Sequence, residues 1–230
     1  MSSTNNIWMP LRRLADKIRE VGPVYALRLV VRRLVPPFVY DAAVLLVMDT
    51  DMPTLAAQDD PDAPIRWATE DEIGKLDELG FRHEEAQKYF DQGHRVLVYE
   101  ENGEFLACNW LVTGRYEMLN WFHFTMPPGT LYGTAAYTRP DQRGKRIVSK
   151  FWKRAAAEYL KKNYSRYLAT VNALNRSSLR ANAATPGTNI AGRIWYLRLL
   201  GFTVVRANDK TSFGWWTATR PYILKTETLT

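Results

Sequence analysis

The chain is poor in cysteine, in histidine and in long apolar runs. Cys108 is the only cysteine among 230 residues, so no intramolecular disulfide can form, and a reducing cytosol is the expected setting. His83, His94 and His123 are scattered without ligand spacing, so no metal site is expected. The nearest thing to a bilayer span, residues 35–48, contains Pro36, Pro37 and Asp41. The first apolar run is broken by Arg and Asp, so no secretory signal is expected either. There is no internal repeat and no low-complexity tract. Acids are the scarcer charge, 24 against 31 Lys and Arg, for a net charge of +7. That excess is concentrated: residues 1–40 hold seven basic residues against Asp16 and Glu20, a net +5. The message is a basic N-terminal arm, not a basic surface.

What is abundant is aromatic. Eight Trp and twelve Tyr exceed the needs of a minimal core and suggest an aromatic-lined cleft. Within the arm, Pro10 suits a first helical turn, and Leu11, Leu14, Ile18 and Val21 form one stripe. Gly22-Pro23 breaks it, and Val24, Leu27, Val31 and Leu34 form a second stripe among Arg28, Arg32 and Arg33, ended by Pro36-Pro37. Such stripes suit either packing on the rest of the protein or attachment to an anionic membrane surface. Residues 39–49 read as a strand, and the polar, Pro-containing residues 51–64 read as a linker. The organisation expected is therefore an extension over 1–50, a linker over 51–64, a domain over 65–222 and a frayed tail over 223–230.

The domain reads as β–α–α–β–β at its start. Residues 65–68 form a strand, Thr69 caps an acidic helix start, a second helix covers 82–92, and strands at 96–99 and 105–113 flank an Asn102-Gly103 turn. Residues 115–129 crowd Tyr116, Met118, Leu119, Trp121, Phe122, Phe124 and Met126 together. This suits a strand apolar on both faces, which is either core or the wall of an acceptor or acyl pocket. A strand over 131–138 then runs into Arg139-Pro140-Asp141-Gln142-Arg143-Gly144-Lys145-Arg146 and a helix over 147–162. Free N–H groups at the helix start, a glycine that permits close approach, and Arg143, Lys145 and Arg146 together predict a phosphate or pyrophosphate seat.

The segment Gln142-Arg143-Gly144-Lys145-Arg146-Ile147 resembles the Q/R-x-x-G-x-G/A acyl-CoA loop of the GNAT N-acyltransferases, with Arg146 where Gly or Ala is usual. Downstream, the strand leading to Asn175 and Ser178 is similar to the family's strand ending in N-x-x-S. Leu199-Leu200-Gly201-Phe202 resembles its helix ending in L-G-F before a last hairpin. The resemblance implies an α+β fold: a mixed, mostly antiparallel central sheet flanked by helices, here with the basic helical extension. It implies acyl-CoA or acetyl-CoA as co-substrate, held by Tyr137, Thr138, the residues 142–147, Asn175 and Ser178. It also implies that the strand over 131–138 splays from the strand over 166–172, with the pantetheine in the splay and a central-strand N–H, near Ala136 or Tyr137, on the oxyanion. A helix is expected over 190–200.

Acyl transfer to an amine needs the thioester held, the oxyanion stabilised and the amine deprotonated. Catalytic candidates are Tyr196, where the resemblance points to a thiolate-protonating tyrosine, and His123 and Glu117 as bases. The acceptor expected is a small-molecule, lipid-linked or sugar-linked amine. Two other readings stand beside this one: an aminoacyl-tRNA-dependent transferase of the same fold, and a CoA-binding domain without catalysis. The arm's stripes are aliphatic and lack the aromatic–basic interleaving of an RNA surface, so no nucleic acid is expected. The sequence leaves the oligomeric state open.

Overall fold

A computed structural model of the chain describes residues 22–37 and 39–229. The first arm helix expected from Pro10 lies outside the described residues. The second is present as α1, Pro23–Leu34. The strand after it is β1, Tyr40–Asp51, whose alternation buries Ala43, Leu45 and Val47 on one face. A short helix α2, Met52–Ala56, is capped by Asp51, whose carboxylate accepts from the Thr54 N–H.

The expected β–α–α–β–β start follows: β2 (Ile65–Trp67), α3 (Ile73–Glu78), α4 (His83–Asp91), β3 (Arg95–Glu101) and β4 (Glu104–Thr113). Thr69 and Glu72 form a capping box before α3. Asn102 and Gly103 both take positive φ, as a tight hairpin turn requires. The aromatic stretch is a hairpin of two strands, β5 (Arg115–Leu119) and β6 (Phe122–Thr125), not one strand. Then come β7 (Thr130–Thr138), α5 (Ile147–Leu160), β8 (Arg166–Asn172), α6 (Arg176–Ala183), β9 (Thr188–Leu199), β10 (Phe202–Ala207), β11 (Lys210–Trp215) and β12 (Tyr222–Lys225).

Nine strands form one sheet in the order β11-β10-β9-β1-β8-β7-β4-β3-β2, and β12-β6-β5 form a second. All neighbours in the large sheet are antiparallel except β7 and β8. One core lies between the two sheets and α3–α4, with Trp110, Phe122, Phe124, Tyr132, Tyr196 and Val205. The other lies under α2 and α5, with Leu55, Leu131, Phe151, Trp152 and Tyr167. Each such side chain contributes about 1.5–3 kcal/mol by leaving water.

Three expectations are corrected. Residues 190–200 are strand, not helix. Ile194, Tyr196 and Arg198 point to the core while Trp195 and Leu199 point out, a period of two that apolar residues on both faces disguise. Leu200 and Gly201 consequently form a positive-φ turn between β9 and β10, not a helix end. Second, the extension does not end at residue 50 as an appendage, because β1 is hydrogen-bonded between β8 and β9 in the middle of the sheet. Third, residues 223–225 are not a frayed tail. They belong to β12, which pairs with β6 and buries Leu224, and the Thr226 hydroxyl donates to the Thr125 carbonyl at 3.2 Å.

The β7–β8 ladder depends on Gly133. A Cβ built there would lie 1.8 Å from the Tyr167 hydroxyl oxygen and 2.6 Å from its ring. Gly133→Ala should therefore destabilise the protein by about 2–3 kcal/mol through overpacking, read as a lowered urea midpoint. Adding Tyr167→Phe should recover part of the loss. An unchanged midpoint in the single variant would show that the contact yields freely.

Candidate functional site

The site is built where two ladders stop. β7 pairs with β8 only as far as Gly133 opposite Ala169. Past that pair, residues 134–138 have no strand partner on their β8 side among the described residues. On the β4 side the register slips, so that Ala135 and Ala136 lie opposite the single residue Asn109. Ala135 takes φ 45°, the left-handed region, a conformation that costs a non-glycine residue about 1 kcal/mol. Bulges of this kind bend a strand and re-aim its backbone groups. Meanwhile β8 ends at Asn172, and β1 runs on beyond it, with the Ala173 N–H donating to the Val44 carbonyl at 2.8 Å. A gap is left between the upper halves of β7 and β1. The splay expected from the resemblance is thus present.

At one end of the gap lies the loop from which a phosphate seat is expected. Pro140–Gln142 form a single 3-10 turn, and Gly144 (φ 86°) and Arg146 (φ 57°) turn the chain into α5. Arg146 is the N-cap residue, makes no side-chain cap, and leaves the first-turn N–H groups open to a ligand. The first turn of α5 holds no acid. Arg143, Lys145 and Arg146 are exposed around it. Gln142 ties the loop internally, accepting from Lys145 Nζ at 2.5 Å and donating to Asp141 at 3.0 Å. Arg143 Nε donates to the Thr138 carbonyl at 3.2 Å, linking the loop to the end of β7. Ile147 is buried beneath the helix start, and Tyr137 and Thr138 are half-buried on the splayed strand.

Asn175 and Ser178 sit just past β8, at the same end of the sheet. Asn175 is the N-cap of α6: its side-chain oxygen accepts from the Ser178 N–H at 3.3 Å and from the Ser177 hydroxyl at 2.9 Å. Their visible work is to start that helix where β8 stops.

The three catalytic candidates are not brought together. Glu117 and His123 are cross-strand partners on the small sheet. Lys88 Nζ lies 2.7 Å from Glu117, and this bond holds the carboxyl below its usual range. His123 is buried, and Arg115 Nη2 donates to its Nδ1 at 2.6 Å, occupying the lone pair a base needs. Burial first, then Arg115, lower its pKa. Tyr196 lies on β9, two strands beyond β8 from the phosphate seat. Its hydroxyl donates to Asp41 Oδ2 at 3.1 Å, and Arg28 Nε donates to the Ala42 carbonyl at 2.7 Å, with its Nη2 3.4 Å from Asp41 Oδ1. Asp41 is wholly buried and stands across the ladder from Arg198, whose guanidinium lies over the Trp121 ring. This buried group closes the β1 side of the gap and had no local sequence signal.

A second group that sequence reasoning missed lies on the β7 side. Thr134, the first residue past the last β7–β8 pair, donates from Oγ1 to the Tyr116 hydroxyl at 2.8 Å. Tyr116 in turn sits against Tyr89, His94 and Tyr132. Its hydroxyl thus links the end of the β7–β8 ladder to the aromatic core. Cys108, by contrast, is fully buried opposite Tyr137, and burial pushes its thiol up to about 12.

The acetyltransferase (GNAT) family profile matches residues 61–181, more than half of the sequence. The chain belongs to the GNAT acetyltransferase family. The family segment takes in β2 through most of α6, with β1 and β9–β12 outside it. Among solved structures, a GNAT-family protein from Novosphingobium aromaticivorans is 16% identical with a TM-score of 0.49, over 65% of this chain and 60% of its own. One from Colwellia psychrerythraea is also 16% identical, with a TM-score of 0.48 over 70% and 57%. An acetyltransferase from Clostridium acetobutylicum, solved with acetyl-CoA, is 18% identical with a TM-score of 0.37 over 50% and 85%. The chain thus spans about 60% of the length of the first two structures. No curated protein matches its sequence.

His94 and His123 are both held below the usual histidine pKa, by burial first in each case. A histidine depressed in the fold is neutral there, while the unfolded chain binds its proton near pH 6.5. Their contribution to stability is therefore full above that value and is lost as pH falls from it toward the folded values. Between about pH 7.5 and 5.5 the melting temperature of wild type should fall more steeply than that of His94→Phe. Parallel slopes would show that His94 is not held neutral.

Proposed function

We propose that the protein moves an acyl group, acetyl in the simplest case, from a CoA thioester to an amine by direct attack. The observation that carries this reading is the interrupted β7–β8 ladder next to an uncapped, basic helix start. An extended amide chain can pair with the unpartnered edge of β7 while its phosphates meet the N–H groups of α5. In this reading the amine nitrogen forms the new C–N bond, the C–S bond breaks, and the departing thiolate gains a proton as the amine loses one. The bulged backbone around Ala135–Tyr137 supplies the N–H that faces the developing oxyanion. Thr134 and Tyr116 lie where a proton leaving the amine would pass.

The acceptor is a small or lipid-linked amine. The ~330 Å³ apolar cavity between α1 and the end of the sheet, lined by Val24, Leu27, Leu174 and Trp195 with Arg28 at its side, favours an acceptor with an apolar portion. A mass-spectrometric screen of acyl-CoA donors against amines identifies the pair. CoA binding without product from any amine would leave a binding domain in place of an enzyme.

Gly144 stands in open space at φ 86°, so substitution there acts through backbone strain and charge alone. Gly144→Glu should weaken CoA binding by about tenfold or more, some 1.4 kcal/mol, while Gly144→Asn, which tolerates the left-handed region, should retain most of it. Equal affinities by calorimetry would remove the phosphate seat from this loop.

Direct attack also predicts that Cys108→Ala leaves turnover within about twofold of wild type, since a buried thiol with so high a pKa supplies no thiolate. An acyl adduct on Cys108 in the intact mass would show a covalent route instead.

A further inference from the structure

The half of the large sheet formed by β1, β9, β10 and β11 is buried on one face and, among the described residues, largely uncovered on the other. On the buried face Asp41, Tyr196, Thr203 and Val205 lie under the small sheet. On the opposite face, register places Tyr40, Leu199, Phe202 and Trp215 in one row across all four strands. Leu197, Val204 and Phe213 continue the next row, and Trp195 and Arg206 the one after. This is the face that α2 and α5 cover farther along the sheet, over β3, β4, β7 and β8. Phe213 is 72% exposed, Trp215 65% and Leu199 49%. The Phe202 and Trp215 rings meet edge to face at 5.5 Å, so the surface is a packed apolar layer and not a scatter of single residues. A contiguous apolar area of this kind on a folded protein marks an interaction surface.

Its chemistry selects the partner. The rows contain no carboxylate, and their cations are Arg206 and, paired with Leu46, Arg193, both exposed. A second copy of the same face would bring no acid to meet them, and desolvating unpaired arginines is costly. The phosphates of an anionic lipid surface meet them in a wet headgroup layer, where Trp and Tyr also sit well with an apolar body and a polar edge. The cavity beside α1 is lined by four positions of this face, Tyr40, Ala42, Val44 and Trp195, so it stands at the margin of the surface. No helix among the described residues is long and apolar enough to cross a membrane, so the contact is peripheral. We infer that the outer face of β1–β9–β10–β11 docks the protein on an anionic bilayer surface. This stands independently of the acyl-transfer reading.

Flotation of the full chain with phosphatidylglycerol–phosphatidylcholine vesicles, and with phosphatidylcholine alone, tests it, with light scattering on the same samples. Wild type should float with the anionic vesicles only, and raised salt should weaken the attachment. Phe213→Ser with Trp215→Ser should abolish flotation. Arg193→Glu with Arg206→Glu, two exposed changes that leave the apolar layer intact, should abolish it too, at an unchanged melting temperature. If wild type stays in solution at low salt, the inference is overturned. A dimer split by the first double variant would then assign the face to a second copy. If both double variants float as wild type does, another surface binds the lipid and the inference fails as well.

Discussion

The structure turns on a sheet that stops pairing in its own middle. An interior strand ordinarily satisfies both edges, because buried N–H and C=O groups left without partners are costly. Here β7 loses β8 at Gly133, and everything nearby accommodates that loss. The bulge at Ala135 turns the backbone, β8 gives way to α6 under the Asn175 cap, and the loop into α5 ends in two left-handed residues. The strain at Ala135 and Arg146 is local and modest, and it is held by cores on both sides of the sheet. A site made from backbone in this way constrains shape more than side-chain identity. That explains why Ala135 and Ala136 carry so little chemistry of their own.

The two ends of the large sheet serve different purposes. The half containing β2, β3, β4, β7 and β8 is covered on both faces and holds the β7 side of the gap. The half containing β1 and β9–β11 is covered on one face only and lies outside the segment that matches the family. The buried Asp41, Tyr196 and Arg28 fasten this second half to α1 at the gap. The segment that matches the family is thus joined to a surface that lies outside it.

Where structure follows from neighbours in sequence, it was legible. The strand, Gly loop and helix around Gly144, the Thr69 cap and the Asn102-Gly103 turn are each specified within about a dozen residues. What failed depended on distant partners. Nothing near β1 in sequence shows that it pairs with β8 and β9, so it reads as part of an appendage. Trp195, Leu197 and Leu199 make the outer face of β9 as apolar as its inner one, which masks the alternation and suits a helix equally well. The resemblance points to Tyr196, but its bond to Asp41 spans 155 residues and leaves no pattern. The Ala135 bulge is equally silent, since two alanines in a strand carry no signal for a left-handed turn.

The placement of β1 sets an order of assembly. Among the described strands β1 comes first along the chain, yet its partners, β8 and β9, lie far downstream. Through most of synthesis a twelve-residue apolar strand has neither neighbour. The segment in between can pair β2 through β8 by itself but leaves the outer edge of β8 open. Closure then requires the earliest and latest parts of the chain to meet across that edge, a non-local step that slows folding and leaves apolar strands open to aggregation. A nascent chain halted before β9 would hold a nearly finished family segment and a strand with only one of its two neighbours, a species suited to capture by chaperones.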